Sequence, residues 1–130
     1  MTKNAVIYAR VSSKEQETGG YSIPAQLDFL QNYAKINGFN VIQVFKESVS
    51  AKDKYSRIEY DNMIKFAKKQ KGGCHISVEK TDRLLRNEFN SAEIIELARS
   101  TDITIHLVKE NLILEKNSPP TTFFIFTMFT

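Results

Sequence analysis

VIYARVSS, residues 6–13, is an apolar run that turns polar only at its end, as a β-strand does where it leaves a sheet. Residues two apart on a strand point to the same side, so Val6, Tyr8, Arg10 and Ser12 share one face. In open α/β sheets, ligands bind at the C-terminal ends of the strands. An arginine beside a serine at that place indicates a hydroxyl aimed at an anion.

A second polar stretch, TDRLLR at 81–86, also follows a predicted strand. It offers one carboxylate, Asp82, and two guanidinium groups, Arg83 and Arg86. Because parallel strands end at the same edge of a sheet, we expect this stretch to lie beside Ser12. The remaining sequence is interpreted as the scaffold that brings the two stretches together.

Size and composition limit the class of protein. The chain has 130 residues, 42% of them hydrophobic, which suits one domain with a real core. A net charge of +3 permits binding to a polyanion without requiring it. The single cysteine excludes an internal disulfide and fits a reducing cytoplasm, and with only two histidines no metal site is expected. No signal peptide or membrane span is expected, because Arg10 interrupts the N-terminal apolar run.

Strands and helices alternate along the sequence. Strands are predicted at 5–11, 39–45, 75–80, 103–108 and, short and at an edge, 112–114; helices are predicted from a Ser22 cap to Gly38, at 58–71 and at 91–100. This alternation predicts a three-layer, flavodoxin-like α/β fold with a mostly parallel mixed sheet of four to five strands. The polar segment 47–57 is longer than a tight connection needs, so we expect it to be mobile, with Arg57 away from Ser12.

The C-terminal segment, 119–130, is set apart as a second region after a domain at 1–118. NSPPTT breaks the chain, and the dense apolar run FFIFTMF follows at 123–129. It is either a last core element of the domain or the beginning of a longer, truncated interface helix that packs on a partner subunit.

The chemistry-bearing residues do not match a serine hydrolase. His75 and His106 lie inside predicted strands and are interpreted as structural, and the G-x-S-x-G elbow is absent around Ser12. The chain instead offers a set of arginines, namely Arg10, Arg57, Arg83 and Arg86. Guanidinium groups match phosphate oxygens and neutralise the charge that develops at phosphorus in a transition state.

Several assignments within this group stay open. Asp82 either holds an arginine in place or takes the serine proton. Arg83 and Arg86 share a face if they open a helical turn. Ser13 is a rival nucleophile on the opposite face of the strand, and the rival tyrosine hydroxyls are Tyr8, Tyr55 and Tyr60, of which Tyr8 and Tyr60 are predicted to be buried.

Four motifs together resemble the catalytic domain of serine site-specific recombinases, the resolvase/invertase family. They are Y-A-R-V-S at 8–12, S-I-x-x-Q at 22–26, the segment around Arg57, and D-R-L-x-R at 82–86. The resemblance spans about residues 5–115. The lead-in ETGGYSIPAQ at 17–26 is most similar to the large serine recombinases, the phage integrases and mobile-element transposases.

The resemblance implies both a mechanism and a site. Ser12 would attack a DNA phosphodiester, form a 5′-phosphoserine link and release a 3′-hydroxyl; subunit rotation and religation would follow in a synaptic tetramer built from dimers, without a metal or nucleotide cofactor. The family's active-site positions fall on Ser12, Arg10, Gln26, Arg57, Asp82, Arg83 and Arg86, with the four arginines binding DNA phosphate. On its own, the domain is expected to bind DNA weakly and to recombine it little.

Two other functions compete with this one. A flavodoxin-like binding or dimerisation module would have the same pattern of strands and helices without chemistry, because that fold hosts many functions. A phosphatase-like hydrolase would use Ser12 but would let water attack the phosphoserine, and would therefore turn over small phosphoesters.

Overall fold

The computed structural model describes residues 3–12, 22–49, 57–85 and 90–130. Its elements are β1 (Lys3–Ser12), α1 (Ile23–Ile36), β2 (Phe39–Val49), α2 (Ile58–Lys68), β3 (Cys74–Val78), α3 (Thr81–Leu84), α4 (Ser91–Ser100), β4 (Ile103–Leu107), β5 (Leu112–Leu114) and α5 (Pro120–Met128). The predicted three-layer α/β fold with a mostly parallel mixed sheet is confirmed.

The strands form one sheet in the order β2-β1-β3-β4-β5. All neighbours are parallel except β4 and β5, which pair antiparallel. The chain adds β2 on one side of β1 and then crosses to place β3 on the other side. Such a reversal of strand order opens a crevice at the C-terminal ends of the two strands, where α/β proteins bind ligands. Here the crevice lies between the end of β1, Ser12, and the residues that follow Val78.

Helices cover both faces of the sheet. On one face, α1 buries Leu30 and Ala34. On the other face, α2 and α4 contribute Met63 and Ile94 to a core shared with β1, β3 and β4. Because β1 is covered on both sides, every residue from Ala5 to Ala9 is at most 1% exposed. This explains the continuous apolar run at the beginning of the sequence.

Local signals placed the helix termini well. The Ser22 hydroxyl accepts a hydrogen bond from the Ala25 amide at 3.2 Å and caps α1, with Pro24 in its first turn. Asn90 stands at the cap position of α4 as predicted, although its side chain makes no capping bond. Helix α2 ends at Lys68, before the predicted 71. A Cβ on Gly73 would lie 2.7 Å from the carbonyl oxygen of Asp102, so this position requires glycine.

The structure corrects the predicted loop at 47–57. Strand β2 continues to Val49, and its polar end pairs in register with β1, with Glu47 opposite Arg10. A strand at the edge of a sheet tolerates charged residues, so its polar end resembled a loop in the sequence. Arg57 is buried and immediately precedes α2. Residues 50–56 lie outside the described residues. Strand β3 ends at Val78, two residues earlier than predicted.

The C-terminal run forms helix α5, which begins at Pro120. Phe123 and Phe126 are buried, and the Arg99 guanidinium lies over the Phe123 ring. Phe124 and Met128 point outward and are 67% and 71% exposed. The helix is therefore half core element and half exposed apolar surface. No helix among the described residues is both long and apolar enough to cross a membrane.

A chain of hydrogen bonds links two strands and a helix on the α1 face of the sheet. The Tyr33 hydroxyl lies 2.8 Å from Nδ1 of His106, whose Nε2 lies 2.9 Å from Nδ1 of His75. Phe39 stacks on the His75 ring. The pKa of His106 is lowered to about 4, mainly by burial and in addition by repulsion from His75 and Lys3. Burial also lowers the pKa of His75, as does Lys3, whereas Glu115 raises it.

This histidine pair predicts a loss of stability in acid. The unfolded chain takes up protons near pH 6.5, but His106 in the folded chain resists protonation down to about pH 4, so its contribution disappears as the pH falls through that window. We expect about 2 to 3 kcal/mol less stability at about pH 4.5 than near pH 7 from this group. His106→Gln keeps polar atoms for Tyr33 and His75 but does not titrate. Urea unfolding at both pH values should show a smaller loss in the variant; an equal loss in both proteins would contradict the prediction.

Candidate active site

Arg10 connects the two polar stretches that the sequence singled out. Its Nε donates to the carbonyl oxygen of Arg83 at 3.1 Å, and its Nη2 donates to the carbonyl oxygen of Asp82 at 2.5 Å. The side chain is only 7% exposed. The C-terminal carbonyls of a short helix such as α3 have no partners within the helix, so a guanidinium is well suited to bind them. The end of β1, including Ser12, is thereby held against α3.

Gln26 supports the same strand end from α1. Its Oε1 accepts from the Arg10 amide at 3.1 Å, and its Nε2 donates to the Arg10 carbonyl at 2.9 Å. The Arg10 backbone needs these bonds because β3 pairs with β1 only at Ala5–Ile7, after which the two strands separate. The Gln26 side-chain amide bonds to the Arg10 amide and carbonyl, which β3 no longer reaches, so both buried backbone groups have a partner. In this structure the side chain of Gln26 therefore positions Arg10.

Asp82 and Arg83 point in different directions from α3. The Asp82 side chain is 74% exposed, and its Oδ2 lies 3.9 Å from Nη2 of Arg10. The Arg83 side chain is 2% exposed, and its Nε donates to Oε1 of Glu79 at 2.9 Å. Asp82 thus lies at the exposed edge of the crevice beside Arg10, whereas the Arg83 side chain is buried against Glu79.

Arg57 stands at the N-terminal cap position of α2 and makes no side-chain capping bond there. A helix cap usually accepts hydrogen bonds from the second and third helical amides, which an arginine cannot do. Glu47 supplies the acceptor instead, with Oε2 bound to the Glu59 amide at 2.9 Å and Oε1 to the Tyr60 amide at 3.1 Å. Glu47 also accepts from the Tyr8 hydroxyl at 2.5 Å.

Together these contacts bring Ser12, Arg10, Gln26, Asp82 and Arg83 to one end of the sheet. A model of the resolvase N-terminal domain matches residues 5–130 of the chain. The chain belongs to the resolvase family. The fold of this resolvase domain is thus that of the family. No curated protein matches the chain significantly.

Solved structures agree with this membership. The N-terminal catalytic domain of TP901-1 integrase is 25% identical, with a TM-score of 0.72 over 97% of this chain and 90% of that one. The C-terminal catalytic domain of ISC1926 TnpA, an IS607-like serine recombinase, is 29% identical, with a TM-score of 0.63 over 81% and 70% of the two chains. A resolvase-family site-specific recombinase from Streptococcus pneumoniae is 18% identical, with a TM-score of 0.76 over 98% and 85%, and shows the shared fold. This resolvase domain is accordingly a recombinase catalytic domain.

Tyr8 and Tyr60 are poor rival nucleophiles in this resolvase domain. Tyr8 is 0% exposed and donates its hydroxyl to Glu47. Burial raises the pKa of Tyr8 far above its usual value of 10, and the bond to Glu47 and its negative charge raise it further; Arg57 and Arg10 act in the opposite direction. Tyr60 is 4% exposed and packs edge-on against Tyr8. Both phenols are core residues, as the sequence predicts.

Three candidates, Arg86, Ser13 and Tyr55, lie outside the described residues. The structure nevertheless corrects the argument that placed Arg86 on one helical face with Arg83. Helix α3 ends at Leu84, and Leu85 is extended, with φ −72° and ψ 134°. The i,i+3 argument was conditional on a helical turn that continues from Arg83, whereas α3 ends one residue after Arg83.

Sequence reasoning missed the two buried carboxylates of the site, Glu47 and Glu79. A signal for Glu47 was present, because Arg57 precedes an apolar helix where a capping acceptor is expected and cannot serve as one. For Glu79 the signal was weaker. Glu79 lies in a polar stretch with Lys80 and Asp82, and only the fold shows that its side chain is 0% exposed.

Proposed function

We propose that Ser12 of this recombinase domain attacks a DNA phosphodiester. The observation that carries the proposal is the binding of the Arg10 guanidinium to the carbonyls of Asp82 and Arg83, which ties the strand end bearing Ser12 to the arginine-bearing α3. Ser12 is the last residue of β1 and is half-buried, at the crevice where α/β sheets bind ligands.

In the proposed step, the Ser12 hydroxyl gives up its proton and Oγ forms a bond to phosphorus. The bond from phosphorus to the 3′-oxygen breaks, and the 3′-oxygen leaves as a hydroxyl after taking a proton. The phosphate stays on the 5′ side of the break as a phosphoserine. Religation is the reverse reaction with the 3′-hydroxyl of another strand, so the number of ester bonds is conserved and no nucleotide is consumed.

The arginines supply charge stabilisation in this proposal. The contacts of Arg10 use Nε and Nη2 of a group with five N–H donors, so donors remain for a phosphate oxygen. Positive charge at this place favours both the pentavalent transition state and the serine alkoxide. Arg57, Arg83 and Arg86 are proposed to share the task. Asp82, 3.9 Å from Arg10, is proposed to orient that guanidinium.

We further propose that the domain works as a homodimer and, on DNA, as a synaptic homotetramer. The region from 119 onward would be the interface, because α5 leaves Phe124, Ile125, Met128 and Phe129 between 42% and 71% exposed. An apolar patch of this kind favours contact with another protein surface. Because the substrate is DNA, we place the protein in the cytoplasm, where Cys74, which is buried, remains a thiol.

The proposal is tested by mapping a covalent adduct. The protein would be incubated with sheared genomic DNA of the organism that encodes it, quenched with detergent before religation, and digested with nuclease and with a protease that cuts after glutamate. The first glutamate is Glu15, so one peptide carries both Ser12 and Ser13. Fragment ions should place the nucleotide on Ser12.

Each other outcome selects a different function. A nucleotide on Ser13 or on a tyrosine would keep DNA cleavage but move the nucleophile. Turnover of small phosphoesters with release of free phosphate would favour the phosphatase-like hydrolase. Binding and synapsis of recombination sites without any adduct would favour a non-catalytic binding module.

A further inference from the structure

The turn between β4 and β5 contacts helix α3. Lys109 and Glu110 stand in this turn, directly after β4 ends at Leu107. The backbone there continues to pair with the chain that leads into α3, since the Val108 amide donates to the Val78 carbonyl at 3.1 Å and the Lys109 amide to the Glu79 carbonyl at 2.9 Å. The turn is therefore fixed relative to the residues just before Thr81.

Glu110 holds the first residue of α3. Its Oε1 accepts from the Thr81 amide at 2.9 Å and also from the Thr81 hydroxyl. Lys80, at the cap position, makes no side-chain capping bond. A helix of four residues has almost no amide–carbonyl hydrogen bonds within itself. An external acceptor at its N-terminus therefore determines where the helix begins. Thr81 is 0% exposed, which makes an unpaired donor there costly.

Lys109 holds the third residue of α3 indirectly. Its Nζ lies 3.0 Å from Oε2 of Glu79, whose Oε1 binds Arg83. Its ammonium also lies over the Phe29 ring of α1, 5.7 Å from the centroid. Glu79 is 0% exposed, so its charge needs compensation from both sides. Lys109 thus keeps Glu79, and through it Arg83, in a fixed place.

From these contacts we infer that the Lys109–Glu110 turn positions α3 for DNA cleavage, with Glu110 as a positioning residue that acts through Thr81. The inference rests on the proposed function, because α3 supplies Asp82, Arg83 and the two carbonyls that hold Arg10. None of the contacts of Glu110 described above involves Ser12 or Arg10. A displacement of α3 would move Arg10 and the strand end with it, and small displacements of reacting groups are costly to rate.

The test compares Glu110→Ala with Glu115→Ala, which removes an exposed carboxylate of the same hairpin. Amide hydrogen exchange of the full chain would be followed by NMR at Arg83 and Leu85, at the end of α3. The Arg83 amide bonds to the Lys80 carbonyl and the Leu85 amide to the Thr81 carbonyl, so both bonds span the ends of α3, and we expect Glu110→Ala to speed exchange at both sites by about tenfold. The Cys74 amide, which bonds to the Asp102 carbonyl, should keep its rate as an internal reference.

The same variants are then compared in formation of the Ser12 adduct. We expect Glu110→Ala to slow adduct formation by about tenfold or more at unchanged DNA affinity. Thr81→Val should act through the same contact, so the double variant should be slowed less than the product of the two single effects. Thr81→Ser keeps the hydroxyl and should restore the rate.

The outcomes separate the inference from the proposed function. Unchanged exchange at Arg83 and Leu85 in Glu110→Ala overturns the inference, whatever the DNA result. Faster exchange with an unchanged rate of adduct formation also overturns it, because Glu110 would then only stabilise the turn. No adduct with the wild-type protein overturns the proposed function and the catalytic part of the inference, while the exchange data still decide whether the turn holds α3.

Discussion

Ser12→Ala is expected to bring covalent DNA adduct formation and strand cleavage below detection. Alanine has no oxygen that can bond to phosphorus, so the phosphoserine cannot form and the loss is complete rather than partial. DNA affinity should change little, because phosphate binding rests on the arginines. The free energy of unfolding should also stay within about 0.5 kcal/mol, since Ser12 is a half-buried residue at the end of a strand.

Ser13→Ala is the matched control for this experiment. It removes the same hydroxyl one residue later, and a strand that continued past Ser12 would direct that side chain to the opposite face. We expect its cleavage activity to remain. Cleavage kept by Ser12→Ala and lost by Ser13→Ala would move the nucleophile by one residue. Cleavage kept by both single variants and by the double variant would rule out serine chemistry on this segment.

The fold could be predicted from the sequence because its signals are local. The apolar run at Val6–Ala9 shows a strand covered on both faces, and the Ser22 cap marks the beginning of α1. The positions of Ser12 at the end of β1 and of Asp82 shortly after β3 follow from the same patterns. Their proximity then follows from a rule of parallel sheets, which needs no knowledge of side-chain contacts.

The partners of the site residues could not be predicted, because they come from distant parts of the chain. Tyr8 and Glu47 are 39 residues apart, and Thr81 and Glu110 are 29 apart. A buried carboxylate interrupts the apolar periodicity in the same way as a surface one, so Glu47 and Glu79 resembled solvent-exposed residues. Helix α3 at Thr81–Leu84 was not among the predicted helices, because a single turn is too short to show an apolar periodicity.

Arg83→Met is expected to cost the isolated chain about 3 kcal/mol of its free energy of unfolding. The variant keeps the length and much of the apolar volume of the side chain but removes its charge. Glu79, at 0% exposure, then keeps its own charge without its most buried partner. Lys109 remains at 3.0 Å, but its side chain is 46% exposed and water competes for it. The expected cost therefore lies at the lower end of the range for breaking a buried ion pair.

Two further variants separate charge burial from packing in this prediction. Glu79→Gln combined with Arg83→Met removes the stranded charge and should recover part of the lost stability in urea unfolding. Lys116→Met breaks an exposed ion pair of equal length, 2.9 Å to Asp102, and should cost less than about 1 kcal/mol. A cost for Arg83→Met no larger than that for Lys116→Met would mean that the buried pair adds nothing to the fold. A large cost means that the fold holds the Arg83 guanidinium in place before DNA arrives.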